Sequence, residues 1–323
     1  MTNEAGMKIS GFSMARNASK LYYPLRQAIE SILPICDEFV VAIGSGDADD
    51  RTREEVEKIG SDKIRIIDTV WDLEKYPRGM ENAHQTDIAM KACTGDWLFY
   101  VQADEVVHER FLPVIENRCR ELLADKEVEG LLFDYIHFYG DYDHHHVGHD
   151  WYKKEIRIVR NLPDMHSWIS AQSFRRIPDF DGLNYRVKEG THKLKVASSG
   201  AQMFHYGWVR PPHLMQKKKK SLGTIHHGSQ AMDAAYREKP IAFDYGPLGR
   251  TRKFQGTHPA VLKEWIARFD WQDQLNYSSK ERSGKRELLP HDRPKSRLIS
   301  WIEQNMLGGR SLGGFNNYVF LDR

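Results

Sequence analysis

The sequence is poor in cysteine, and its cysteines are far apart. Among 323 residues there are three, Cys36, Cys93 and Cys119. An odd number without metal-type spacing argues against a disulfide framework and suits a reducing compartment. We therefore expect three small buried side chains that carry no chemistry.

Long apolar runs and an excess of one charge are also missing. No stretch approaches the roughly 18 consecutive apolar residues of a membrane span, and the segment 1–6 lacks the basic and apolar parts of a signal peptide. The 47 Lys and Arg residues are balanced by 45 Asp and Glu, for a net charge of +2, which gives no electrostatic reason to expect nucleic acid as a partner. We expect a cytoplasmic protein, with contact at the inner face of a membrane left open.

From residue 8 to about residue 125, short apolar runs alternate with segments whose apolar residues recur every three or four positions. This alternation predicts βα units around a mostly parallel sheet, with helices covering its faces. The predicted strands are 8–12, 38–43, 63–67 and 97–102. The predicted helices are 21–33, 52–59 and 81–92.

The sequence pattern changes after Glu129, where segments rich in Pro, Gly, Asp and His separate the predicted strands. Two consecutive prolines, Pro211 and Pro212, stop regular structure and mark a predicted boundary. We therefore predict a first domain at 1–212 and a mainly helical C-terminal extension at 213–323. Further predicted strands are 130–138, 155–159 and 193–197; predicted helices are 214–239 and 257–269, with an exposed connector at 278–295.

The strand predicted at 97–102 ends in two adjacent carboxylates, Asp104 and Glu105. In open α/β sheets ligands collect beyond the carboxyl ends of the strands, so these side chains lie where a substrate is expected. A hard divalent cation prefers oxygen ligands, and it would neutralise a diphosphate leaving group. The alternatives without a catalytic or binding role are a solvated strand end for Asp104 and a cap of a helix beginning near Val107 for Glu105.

Several motifs, in this order and spacing, resemble those of family 2 glycosyltransferases over about residues 7 to 210. The motifs are Met14-Ala15-Arg16-Asn17, Asp37-Glu38-Phe39-Val40-Val41, Gly44-Ser45, Asp50-Arg51-Thr52, Arg78-Gly79-Met80-Glu81-Asn82-Ala83, Gly95-Asp96-Trp97, Ala103-Asp104-Glu105 and Glu155-Ile156-Arg157-Ile158-Val159-Arg160-Asn161. The resemblance implies a GT-A fold, an α/β architecture with a Rossmann-like, mostly parallel mixed sheet flanked by helices.

The resemblance also implies a nucleotide-sugar donor, a divalent cation (Mn²⁺ or Mg²⁺), and a glycan, lipid-linked or protein acceptor. Asp104 corresponds to a metal ligand, whereas Gln102 replaces the first aspartate of the usual Asp-Ala-Asp-Glu sequence. The acid expected just before Gly44 to hold the nucleobase is absent, and Asp47 is a displaced substitute. Arg78 opens the segment that resembles the donor-side helix.

Two further candidates lie near the predicted donor site. A guanidinium at Arg16, directly after the first strand, would contact the nucleobase or the diphosphate. His205 follows a late strand, where a neutral imidazole completes the metal shell in similar folds. The alternative for His205 is a half-buried ring packed among Phe204, Tyr206 and Trp208.

An inverting transfer, which the resemblance implies, needs a carboxylate to accept the proton of the acceptor hydroxyl. Asp134, Asp150, Asp181 and Glu189 are the candidates, and we select Asp150 because an aromatic and His-rich loop surrounds it. Trp151 next to it is expected to stack on a sugar ring, although a core position is equally open.

Two prominent runs are expected to carry little chemistry. His144-His145-His146 predicts a flexible acceptor loop rather than a zinc site, because neighbouring side chains in an extended loop point in different directions. The lysine run 217–220 could attract phosphate, anionic lipid or nucleic acid, but one exposed side of a helix is the commoner interpretation. Four consecutive lysines also point in all directions around a helix, so they do not form a binding stripe by themselves.

Three functions remain open at this point. The leading hypothesis is a glycosyltransferase. The alternative is a noncatalytic nucleotide- or sugar-binding protein on the same scaffold, which Gln102 and the missing acid favour. A nucleotidyltransferase is the third, and the single glycine in the segment 11–16 argues against a phosphate-binding loop of that kind.

Overall fold

The first strands of the chain lie parallel to one another, as the alternating pattern predicts. The computed structural model describes residues 6–282, 286–313 and 316–323. Its first strands are β1 (Ile9–Ala15), β2 (Glu38–Gly44), β3 (Ile64–Thr69) and β4 (Trp97–Tyr100). Strand β1 lies between β2 and β4, and β2 pairs with β3, all in parallel. Because β2 and β4 lie on opposite sides of β1, the crevice beyond the carboxyl ends of β1 and β4 is a topological switch point.

Helices from the first half of the chain cover this part of the sheet. They are α1 (Leu25–Ile32), α2 (Thr52–Glu57), α3 (Met80–Lys91) and α4 (Leu112–Leu122). The side chains of Ala28, Ile29 and Ile32 on helix α1 are buried in the core. It begins four residues later than predicted, because Pro24 disfavours helical backbone at the residue before it.

The later strands make the sheet mixed. They are β5 (Glu105–Val107), β6 (Gly130–Tyr139), β7 (His144–His146), β8 (Lys154–Arg160), β9 (Met165–Trp168), β10 (Ser173–Arg176) and β11 (His192–Trp208). Strand β8 is antiparallel to β4 and β6, whereas β6 and β11 are parallel. The resulting order β3-β2-β1-β4-β8-β6-β11, with helices on its faces, confirms the predicted α/β fold with a mixed sheet.

Strand β11 corrects the prediction of a short strand at 193–197 followed by a loop. It continues through Ser198, Ser199 and Gly200 to Trp208, and its pairing with β6 shifts register between Ser198 and Gln202. Gly200 has φ +70°, which a glycine adopts without strain, so an irregularity replaces the expected break.

The C-terminal part contains α5 (Pro212–His227), α6 (Ser229–Tyr236), β12 (Arg252–Lys253), α7 (Lys263–Ile266), α8 (Pro294–Asn305) and β13 (Tyr318–Phe320). The single helix predicted at 214–239 is wrong, because Gly228, with φ +84°, separates α5 from α6. The helix predicted at 257–269 is also too long. Pro259 is extended there, and the Thr257 hydroxyl bonds to His108 Nε2 at 2.8 Å outside any helix.

The connector predicted at 278–295 is exposed only in part. The described side chain of Arg286 is largely buried and pairs with Asp292 at 2.7 Å, and Leu289 is buried. Residues 283–285 of that prediction lie outside the described residues. The sequence pattern missed α8, which starts directly after this segment at Pro294.

The C-terminal part shares a core with the late strands. Phe243, Tyr245, Leu248 and Trp271 pack in one apolar cluster with side chains of β6 and β11. The boundary at 212/213 stays a prediction, and Pro212 is the first residue of α5.

The three cysteines are buried and unpaired, as expected. Among the described residues, no helix is both long enough and apolar enough to cross a bilayer.

Candidate functional site

A deep cleft opens at the topological switch point. Its volume is about 1470 Å³, and its walls include Arg16 beyond β1 and the turn Gln102–Asp104 beyond β4. A cavity of this size exceeds the range of about 300–1,000 Å³ typical of small-molecule sites. The cleft therefore has room for a large substrate, or for two substrates together.

The pairing of β5 with β11 brings two sequence-predicted residues together in this cleft. His205 on β11 lies opposite Glu105 on β5, and the amide of Tyr206 donates to the carbonyl oxygen of Asp104 at 2.8 Å. The Asp104 and His205 side chains consequently meet, with His205 Nε2 at 3.8 Å from Asp104 Oδ1. These residues are about a hundred positions apart in sequence, so only tertiary structure joins them.

Two cations face the same carboxylate. Lys218 on α5 donates from Nζ to Asp104 Oδ2 at 3.0 Å and to the carbonyl of Gly207 at 2.7 Å. The buried Arg210 lies further away, with Nη2 at 3.9 Å from Oδ2. Burial opposes ionisation of Asp104, but the nearby positive charges outweigh it and hold the pKa of this carboxyl well below its usual range. Burial is also the main cause that lowers the pKa of Lys218 to about 8.

A hydrogen-bond chain determines which nitrogen of His205 carries a proton. His137 Nε2 lies 2.7 Å from the carbonyl oxygen of Tyr152, which only accepts, so this nitrogen is protonated. Burial lowers the pKa of His137 to about 3 and that of His205 to about 4, so both rings are neutral at neutral pH. His137 Nδ1 therefore accepts from His205 Nδ1 at 2.9 Å. His205 Nε2 is left with a free lone pair directed toward Asp104.

These two acceptors fit a divalent cation. A carboxylate oxygen and an imidazole lone pair that face each other repel unless a donor or a cation lies between them. A hydrogen bond from the other ring nitrogen, such as the one to His137, is typical of metal-binding histidine. A Cβ on Gly207 would lie 2.4 Å from His205 Nε2 and 2.9 Å from Asp104 Oδ2, so glycine keeps this space open. In the described ranges, no group of three or more His, Cys, Asp and Glu side chains adds further ligands.

Glu105 supports the turn and does not cap a helix. Its buried carboxylate receives two bonds from Arg157, at 2.8 Å each, and one from the hydroxyl of Tyr135 at 2.7 Å. It also accepts from the amide of Gln102 at 3.1 Å. The alternative role as a helix cap near Val107 does not apply, since Val107 ends β5 and the next helical turn begins at Glu109. Glu105 instead holds the backbone that presents Asp104.

Solved structures that resemble this chain include glucosyl-3-phosphoglycerate synthase of Mycobacterium tuberculosis. In its complex with Mn²⁺, UDP and phosphoglyceric acid, the TM-score is 0.29 and the identity 21%, over 42% of this chain and 44% of that one. The complex with Mg²⁺ and UDP gives a TM-score of 0.29 and 20% identity, over 42% and 45%. The matched region is thus less than half of those proteins. No protein-family model and no curated protein matches the sequence.

The structure gathers most of the sequence-predicted site residues in the cleft but not all of them. Asp104, Gln102, His205, Arg16, Asp150 and Trp151 line it. Asp47 lies in a smaller depression of about 250 Å³ and pairs with Lys20 at 2.6 Å. Arg78 is exposed and is not among the lining residues.

The side chains that line the cleft are positioned by different contacts. Arg16 donates from Nε to the carbonyl of Ser45 at 2.8 Å, and its guanidinium lies 5.6 Å from the Trp71 ring. Gln102 donates from Nε2 to the carbonyl of Ala171 at 2.8 Å. Trp151 stacks on His146, and its buried indole N–H has no protein partner among the described residues. The donor and acceptor roles of these side chains stay predictions.

Of the carboxylates considered as a base, only Asp150 lines the cleft. Asp134 pairs with Lys154 at 2.7 Å, and Asp181 accepts bonds from its own loop. Sequence reasoning missed Glu155, which lines the cleft near Arg157 and accepts from Ser173 Oγ at 2.8 Å. Burial raises the pKa of Glu155. Its only sequence signal is its position in the motif Glu155-Ile156-Arg157.

The lysine run is not one exposed side of a helix, which corrects the sequence interpretation. Lys218 points inward to Asp104, Lys219 lies 4.7 Å from the Phe243 ring, and Lys220 pairs with Asp233 at 2.6 Å. Nothing in the sequence separates these lysines, because consecutive residues leave a helix in different directions and only packing selects one.

The histidine run forms a short strand, which corrects the prediction of a flexible loop. Strand β7 pairs with β6 and β12, and its side chains diverge. His144 bonds to Asp141 at 2.9 Å, whereas His146 stacks on Trp151. This divergence agrees with the expectation that the three histidines do not converge on one ion.

Proposed function

We propose that this chain is a glycosyltransferase that transfers a sugar from a nucleoside diphosphate to a glycan, lipid-linked or protein acceptor with inversion. The observation that carries the proposal is the position of Asp104 and His205 Nε2 in a large cleft at the switch point of the sheet. The order of the motifs along the first half of the chain supports the same function. A hexosyl group suits a cleft with room for both a nucleotide and an acceptor.

Asp104 and His205 would hold a divalent cation, Mn²⁺ or Mg²⁺, through Oδ1 and Nε2. When bound, such a cation supplies positive charge that stabilises the departing diphosphate. Lys218 and Arg210 add positive charge beside the same carboxylate. Since partly buried charges act more strongly than charges in water, Lys218, which lines the cleft, is expected to bind diphosphate oxygens and favour the charge that develops there. The fully buried Arg210 would act through its charge beside Asp104 and not by contact.

Arg16 and Trp71 form the wall beyond β1 and β2, where the nucleoside part of the donor is expected. The guanidinium lies near the indole ring and is held by the Ser45 carbonyl, so its direction is restricted. A planar cation held in this way suits contact with a base or a phosphate. Gln102, Asp47 and Arg78 remain proposed donor contacts.

Asp150 is the proposed base on the acceptor side. It is exposed on the cleft wall next to Trp151, whose ring offers a surface for a sugar. In the transfer, the acceptor hydroxyl oxygen forms a bond to the anomeric carbon while the bond to the diphosphate oxygen breaks. The hydroxyl proton passes to the Asp150 carboxylate, and the nucleoside diphosphate leaves with the bonding electron pair.

The direct test is a thermal-shift screen of UDP, GDP, CDP and dTDP sugars with and without Mn²⁺, followed by turnover of the stabilising donor. A nucleotide that binds the folded chain raises its melting temperature by linkage. We expect a metal-dependent shift for one nucleotide class, and loss of that metal dependence in Asp104→Asn and His205→Gln. Asp134→Asn, whose carboxylate lies outside the cleft lining, is the matched control.

Asp104→Asn also leaves Lys218 and Arg210 without their counter-ion, so the variant is expected to melt at a lower temperature. His205→Gln keeps that ion pair and separates metal binding from stability. If both variants keep the metal-dependent shift of the wild type, the proposed cation site is wrong. Nucleotide binding without product across a donor and acceptor panel would favour the noncatalytic alternative, which the neutral Gln102 supports.

A further inference from the structure

Helix α8 is fastened to the rest of the protein by its inner face. Glu303 is fully buried and pairs with His149 at 2.7 Å and with Lys153 at 3.0 Å. Ser300 and Gln304, on the same side of the helix, bond to the backbone of His149 and Val147. The segment after the helix is also tied down, because Lys153 donates to the carbonyl of Gly309 at 2.8 Å. The opposite face is therefore held in a definite orientation.

That outer face is apolar. Leu298 and Trp301 lie three positions apart, on one side of the helix, and are 60% and 57% exposed. Met306 and Leu307, directly beyond the helix, are exposed as well. A large indole and three further apolar side chains that are exposed to water within residues 298–307 are unusual for a surface without a partner.

The charges around this face have one sign. Arg293, Lys295, Arg297 and Arg310 are exposed, and no side-chain ion pair is formed by any of them within the described part of the chain. The only acidic residues between positions 288 and 313 are Asp292 and Glu303. Asp292 is half-buried and pairs with Arg286, and the buried Glu303 pairs with Lys153 and lies 2.7 Å from His149. The surface thus presents apolar side chains bordered by unpaired cations.

We propose that this face, formed by Leu298, Trp301, Met306 and Leu307 with the four cations, docks on an anionic phospholipid bilayer. Amphipathic helices with Trp and Leu on one face and Lys or Arg beside them lie in the interface of a membrane, where the indole prefers the headgroup level. Each cation near an anionic surface adds attraction. The charge pattern favours lipid over a second copy of this neutral-to-basic chain, which offers no matching acidic surface at the same face.

The docked orientation would place the cleft at the membrane. Gly308, Gly309, Arg310 and Ser311 follow α8 directly and line the cleft. The docking face and the cleft rim therefore belong to one continuous segment. The proposal concerns the surface alone and does not depend on the reaction in the cleft.

The test is flotation of the full chain with vesicles of phosphatidylcholine alone or mixed with phosphatidylglycerol. The wild type is expected to float with the anionic vesicles only, and less so at high salt. Leu298→Ser combined with Trp301→Ser is expected to lower the partition coefficient about tenfold or more. Arg297→Glu is expected to lower it by about the same factor.

The matched controls change similar side chains elsewhere on the surface. Ile241→Ser removes an exposed aliphatic side chain, and Lys263→Glu reverses an exposed cation, so both should float like the wild type. Melting temperatures show that the variants are folded. Absence of the wild type from anionic vesicles would overturn the proposal. So would equal flotation of the double variant, or a wild-type dimer in solution that the double variant abolishes without any vesicle binding.

Discussion

At the scale of single residues, the most informative side chain is Lys218. It is the one lysine of the run 217–220 that bonds to Asp104, and it also bonds to the Gly207 carbonyl. A buried ammonium beside a proposed metal ligand reduces the net negative charge of that site. It is therefore suited to bind an anion in the cleft together with a cation, and not merely to stabilise α5.

Removal of this charge is expected to reduce catalysis. Lys218→Met should lower kcat/KM on the order of a hundredfold, because a charged donor directed at the diphosphate is lost. Lys218→Arg keeps the charge and should recover part of the activity. Lys220→Met, a change of the same size at a residue that pairs with Asp233 outside the cleft lining, is the control. Steady-state kinetics with the donor identified by the screen provides the measurement.

A second residue-scale prediction separates Asp150 from Glu155, the two carboxylates on the proposed acceptor side of the cleft. Asp150→Asn should lower kcat by about a hundredfold or more with unchanged donor binding, because the proton acceptor is lost. Glu155→Gln should have a smaller effect, since that carboxylate already accepts from Ser173 and from the amide of Ile156. The reverse ranking in kcat would move the base to Glu155.

At the scale of elements, the pairing of β5 with β11 builds the proposed cation site. It joins a turn after β4 to a strand that ends about a hundred residues later, and Gly207 leaves space between the two ligands. The turn itself is held by the buried pair of Glu105 with Arg157 on β8. Three strands thus contribute to the position of one carboxylate.

Gly207→Ala tests this arrangement. The added Cβ would lie 2.4 Å from His205 Nε2, so the imidazole has to shift. Displaced metal ligands typically lower metal affinity by about 10–100-fold, and a comparable rise in the Mn²⁺ concentration needed for half-maximal activity is expected. A Mn²⁺ titration together with a melting curve distinguishes this from unfolding. An unchanged titration would mean that His205 does not contact the cation.

At the scale of the whole molecule, the C-terminal part completes the cleft. Phe243, Tyr245 and Trp271 pack on the late strands, and α8 fastens the loop that carries Asp150 through the pairs of Glu303. Residues beyond Pro212 therefore contribute to the proposed acceptor side of the cleft. They also form the surface that we propose to contact a membrane.

The sequence by itself determined the local features. Alternating apolar runs predicted the parallel strands β1 to β4, since a strand buried on both faces needs continuous apolar residues. The abrupt end of the run 97–102 predicted Asp104 at the carboxyl edge of the sheet. The motifs nominated Arg16, Gln102 and His205, which the structure places in the same cleft. Local sequence patterns gave wrong helix bounds near Gly228 and Pro259 and missed α8. At these places a single backbone conformation or tertiary packing decides where a helix begins and ends.

Only the tertiary structure decided which distant side chains meet. No local pattern indicates that Lys218 turns inward while Lys220 faces solvent, that Arg157 neutralises Glu105, or that His137 orients His205. These contacts depend on strand order and helix docking, which are set by burial of the whole core. Sequence periodicity reports which face of an element is apolar, but the partner of a buried charge is chosen by the fold, because an unpaired charge in the interior is too costly to remain.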